Sequence, residues 1–92
     1  MSQKTSHTTT NHDEIRKWVE EREGSPARIR NTGGKKDAGL LRINFPGGNE
    51  DNLENISWED FFEKFESEKL AFLYQDKKSD GEISYFNKLV AR

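Results

Sequence analysis

ISWEDFFEKFESEKLAFLYQ, residues 56–75, holds six of the ten aromatic residues of a 92-residue chain and changes its period midway. Trp58, Phe61, Phe62 and Phe65 fall at i, i+3, i+4 and i+7, so they share one face of a helix. Ser57 fits the N-cap and Asp60 the third position of a capping box. Ile56 and Phe61 have the spacing of a hydrophobic staple. Glu59, Asp60, Glu63 and Glu66 fall on the water side. LAFLYQ, residues 70–75, is then apolar on both alternating faces, as in a strand covered on both sides or central in its sheet. A helix followed directly by such a strand makes the aromatics core residues rather than a stacking platform.

Upstream, NHDE opens a second helix. Asn11 suits the N-cap and Glu14 the reciprocal capping position. Ile15, Trp18 and Val19 make a narrow apolar stripe. Gly24 suits the left-handed position that ends the helix, and Pro26 forbids its continuation. PARIRNTGGKKDAGLLRINF reads as a hairpin with a long Gly-containing connection. Ala27 and Ile29 alternate with Arg28 and Arg30, while Leu41, Ile43 and Phe45 alternate with Leu40, Arg42 and Asn44. This period of two predicts an apolar face shared by both strands and an opposite face carrying three arginines. FPGGNEDN breaks the second strand at Pro46. Downstream, Asp80-Gly81 is a favoured hairpin turn, and EISYFNKLV is open between a last strand and a strand with a short turn, so whether residues 83–90 form a strand is not decided by sequence.

The expected fold is therefore two-layer α+β, in the order α-β-β-α-β-(β). One three- or four-stranded, mainly antiparallel sheet would carry two helices on one face. Residues 1–10 are polar and without periodicity, so they read as a disordered tail before a single small domain spanning 11–92.

Charged residues make up 35% of the chain and hydrophobic ones 30%, a balance that requires concentrated aromatics for a core to form at all. The charges are segregated. Arg28, Arg30, Lys35, Lys36 and Arg42 stand against Asp37 alone, whereas Glu50, Asp51, Glu54, Glu59, Asp60, Glu63, Glu66 and Glu68 stand against Lys64. The absence of cysteine excludes disulfides, thiolate nucleophiles and cysteine-ligated zinc. With no long apolar run and no apolar leader, a cytoplasmic location away from membranes is expected.

The remaining chemistry is sparse. No serine lies in a nucleophile-elbow pattern. His7 and His12 are the only histidines, one in the tail and one at a helix start. His12, Asp13 and Glu14 point in different directions around a helix, and lysines interrupt DKKSDGE where a calcium loop needs acidic oxygens. In TGGKK, Lys36 is followed by Asp37 rather than the Ser or Thr of a phosphate loop. No catalytic residue, cofactor or metal site is expected.

IRKWVEEREGSPARI, GLLRINFPG, ISWEDFFEKFESEKLAFLYQD and FNKLVAR, in that order, resemble a family of small uncharacterised bacterial proteins over residues 9–92. Glu23-Gly24-Ser25 stands where that family has a Gly-Gly pair and a variable residue. Some members carry the name 1,4-alpha-glucan branching enzyme. That reaction resembles retaining glycosidase chemistry, with paired carboxylates about 5 Å apart in a cleft. Its barrel takes roughly 250 residues, which this chain does not have.

The basic hairpin is the leading site from sequence. Arg28, Arg30 and Arg42 on one face, with Lys35 and Lys36 at the tip, could neutralise phosphates or meet an acidic protein. Single-strand binders interleave aromatics on such a face, and these strands offer none outward. The net charge of −2 also opposes long-range attraction to nucleic acid. A protein-binding accessory module is thus the expected function, with nucleic-acid binding the alternative. The protein partner is unidentified, and a monomer is the default state.

Overall fold

The computed structural model describes residues 6–30, 39–48, 52–77 and 81–92. Its elements are β1 (Ser6–Thr9), α1 (His12–Glu20), β2 (Ser25–Ile29), β3 (Leu41–Asn44), β4 (Leu53–Asn55), α2 (Trp58–Ser67), β5 (Leu70–Gln75) and β6 (Asn87–Ala91). The class is α+β. The strands divide between two antiparallel sheets, β1-β5-β6 and β3-β2-β4, rather than forming the single sheet expected.

Both helices begin as their sequences dictate. The Asn11 side chain accepts the Glu14 N–H at 2.8 Å, and Ser57 Oγ accepts the Asp60 N–H at 3.0 Å. Each cap satisfies a donor that the first helical turn leaves unpaired. The end of α1 differs from expectation by one residue. Glu23 N–H donates to Glu20 O and Gly24 N–H to Val19 O, a Schellman closure whose left-handed residue is Glu23, at φ 57°. Gly24 is required for another reason. A Cβ there would lie 2.9 Å from the Phe45 ring and from Val19 Cγ1.

Residues 6–9 form an edge strand where the sequence suggests a tail. Ser6, His7, Thr8 and Thr9 pair with Gln75, Tyr74, Leu73 and Phe72. An edge strand needs a main-chain ladder but little apolar alternation, and both faces of SHTT are polar. β6 resolves the open question at the other end. Asn87–Ala91 pairs with β5, and the connection includes a Lys77–Ile83 bridge and Gly81 at φ 88°. Asp80 lies outside the described residues. β5 is accordingly the central strand of its sheet.

The hairpin pairs as expected, but its phase does not match. Arg28 stands opposite Leu41, and Ala27 opposite Arg42. Opposed residues of an antiparallel pair share a face. Leu41, Ile43, Pro26 and Arg28 therefore lie on the core side, while Ala27 and Arg42 lie on the other. Ala27 is still fully buried. Asn44 Nδ2 donates to Asn55 Oδ1 at 3.0 Å, and since β2 lies between β3 and β4, that bond spans the central strand on Ala27's face.

One apolar cluster joins the parts. It draws Ile15, Trp18 and Val19 from α1, Phe61, Phe62 and Phe65 from α2, Leu41 and Ile43 from β3, and Phe72 and Tyr74 from β5. Trp18 meets Phe72 edge-on at 5.5 Å and Phe45 at 6.1 Å. Trp58, only partly buried, stacks on Phe62 at 5.2 Å. The aromatic stretch is core, as its period implies.

Candidate functional site

The three-arginine face expected on the hairpin is split, with Arg42 on the side opposite Arg28. Arg28 Nε donates to Glu54 Oε1 at 2.8 Å, and its Nη2 lies equally close to the same oxygen. Arg30 Nη2 donates to Leu53 O. Arg42, on the opposite face from Arg28, donates to Leu41 O. Lys35 and Lys36 lie outside the described residues. Arg28 thus spends its guanidinium on the protein's own carboxylate.

A different surface combines rigidity with exposed apolar area. It is built around Arg22, a buried residue (8% exposed) just past α1 that sequence alone does not distinguish from the neighbouring charges. Arg22 Nε donates to Ser84 O at 2.6 Å, Nη1 to Trp18 O at 3.0 Å and Nη2 to Asp76 O at 2.9 Å. Its guanidinium also sits 4.1 Å from the centre of the Trp18 ring, a geometry that adds cation–π attraction. One side chain thereby ties the end of α1 to both limbs of the β5–β6 connection.

Ser84 completes the clamp. It is buried, its N–H donates to Asp76 O, and its hydroxyl donates to Gln75 Oε1 at 2.7 Å while accepting the Phe86 N–H at 3.1 Å. With Ser84 held inward, its neighbours are held outward. Ile83, Tyr85 and Phe86 are 54%, 51% and 50% exposed. The Tyr85 ring meets Phe45 edge-on at 5.2 Å. Isolated exposed hydrophobes are ordinary, but three within four residues on an anchored segment form a patch.

The patch continues onto a sheet face. In the β1-β5-β6 register, Thr8, Leu73 and Lys88 form one cross-strand row, and Ala71 and Val90 the next. Gln75 N–H donates to Phe86 O, which puts Phe86 in the row of Ser6 and Gln75. None of Ala71, Leu73, Val90 and Phe86 belongs to the core cluster; the opposite face supplies Phe72, Tyr74 and Leu89 to it. On this outer face Ala71 is buried, Leu73 and Val90 are half-buried, and Phe86 is exposed.

A polar seam holds β1 in place along the inner rim. His7 Nε2 lies 3.1 Å from Asp76 Oδ2, and the His7 ring packs near Tyr74. Thr9 Oγ1 and the Tyr74 hydroxyl both donate to Glu14. Burial, reinforced by Glu14, pushes the Tyr74 phenol above its ordinary range. His12 stacks on Phe62 at 4.0 Å and reaches Glu66 Oε2 at 2.7 Å, where Arg92 Nη2 donates at the same distance. The His12 hydrogen bond, then Arg92, hold the Glu66 carboxyl below its usual value. These groups fasten segments together.

Among the described residues, no cluster of three His, Asp or Glu side chains is arranged to hold a metal ion, and no helix is long and apolar enough to cross a membrane. Comparison with protein-family models, curated proteins and solved structures returns no match.

Proposed function

We propose that this chain is a small cytoplasmic, non-catalytic module that binds another protein. The observation that carries the reading is the Arg22–Ser84 clamp, which fixes three half-exposed apolar side chains beside the outer face of the β1-β5-β6 sheet. Buried hydrogen bonds at a loop rigidify it, and a rigid aromatic patch binds with little loss of side-chain entropy. Aromatic anchors in such a setting are the residues that dominate interface energies. Nucleic-acid binding through the hairpin draws less support, because Arg28 is engaged with Glu54 and lies across the sheet from Arg42.

The test is crosslinking affinity capture with the native chain and a Tyr85→Ser/Phe86→Ser variant, compared in the same lysate. The reading expects a partner reproducibly held by the native chain and lost with the folded variant. Identical capture by both would overturn it. Fluorescence anisotropy with labelled single- and double-stranded oligonucleotides across a salt series separates the alternative. Salt-sensitive binding abolished by Arg30→Ala and Arg42→Ala would favour nucleic acid instead.

A further inference from the structure

The outer edge of β6 has a hydrogen-bonding pattern that fits a second copy of itself. Gln75 N–H donates to Phe86 O and Arg92 N–H to Lys69 O, and the register between these ends is unbroken. Main-chain groups alternate sides along an antiparallel strand. Phe86, Lys88, Val90 and Arg92 therefore direct their N–H and C=O groups toward β5. Those of Asn87, Leu89 and Ala91 point away from it, and among the described residues no strand lies on that side. β6 contains neither proline nor a bulge, two of the devices that normally protect an open edge.

We infer that two copies pair antiparallel along β6 about a two-fold axis at Leu89, joining two three-stranded sheets into one of six strands. Three centres of symmetry engage two or more of these outward residues of β6, and side chains select among them. An axis at Lys88 sets Lys88 against its symmetry mate. An axis at Val90 sets Lys88 against Arg92. The axis at Leu89 satisfies the outward groups of all three residues and opposes Lys88 to Val90, Asn87 to Ala91 and Leu89 to itself. Lys88 has no ion-pair partner among the described residues, so its stem is available to lie along Val90. Leu89, only partly buried in one copy, gains cover from its mate.

Sedimentation velocity of the full chain, from about 1 μM to about 1 mM, tests this contact. The expected result is a reversible monomer–dimer equilibrium. Ala91→Pro removes an N–H that points away from β5, and should abolish the dimer while leaving the circular dichroism and melting of the monomer intact. Val90→Lys places two like-charged pairs across the axis and Val90→Glu two opposite ones. Relative to the native chain, the first should weaken and the second strengthen association by about two- to thirtyfold. A monomer at every concentration would overturn the proposal. So would a dimer indifferent to all three substitutions, or an edge that pairs only with a foreign strand.

Discussion

The two faces of the β1-β5-β6 sheet are made from the same few residues and have opposite fates. Phe72 and Tyr74 point inward, where Trp18 and the α2 aromatics enclose them. Leu73, one position along, points outward beside Thr8 and Lys88 and stays outside the core cluster. Alternation assigns a side chain to a face, but a second element must arrive for that face to become core. Where none arrives, apolar residues become contact surface.

The contrast can be broken most severely from the inside. Phe72→Ala should lower stability by about 3–5 kcal/mol, enough to unfold a domain of this size. Leu73→Ala, of comparable chemistry on the other face, should cost about 1 kcal/mol, as read by urea denaturation of the two variants. Equal losses would mean that the outer face is covered in solution. Next in size is Arg22→Met, expected to cost about 2–3 kcal/mol by leaving buried carbonyls unpaired. It should also open the 81–86 segment to limited proteolysis, converting the anchored patch into a loose one.

Glu23→Gly should act in the opposite direction, raising stability by up to about 1 kcal/mol in thermal melts, because glycine occupies φ 57° without strain. The smallest effect concerns the seam. Glu66 has its carboxyl depressed in the folded state, so its stabilising contribution is present above the ordinary value of 4.5 and is lost as pH falls through the depressed one. A melting-temperature series below pH 5 should therefore be shallower for Glu66→Gln than for the native chain.

Local grammar was well written in the sequence. The caps at Asn11 and Ser57 and the aromatic face of α2 follow from spacing alone. Relations between strands were harder to read. The phase of β2 against β3 slipped by one residue because the connection between them is too long for turn geometry to set the register. That slip moved Arg42 to the face opposite Arg28 and split the arginine row the sequence favoured. β1 and β4 escaped notice because short strands of polar or mixed residues have no period to detect. Arg22 reads like any charged residue near a helix end, and only its distant carbonyl partners, Asp76 and Ser84, disclose its role. The sole hint of the patch was a run of apolar residues, Ile83, Tyr85 and Phe86, persisting after a turn signal.

β1 reaches β5 across a long interval of chain, since Ser6 pairs with Gln75 and Thr9 with Phe72, while β5 and β6 are near neighbours. Contacts between distant segments carry a greater loop-closure cost and form late. β1 is therefore expected to join the sheet last and leave it first, in an opening that need not disturb the aromatic core. The amides of His7 and Thr9 should exchange with deuterium well before those of Lys88 and Val90. In that short-lived state, the far edge of β5 becomes a second site at which an extended chain could pair.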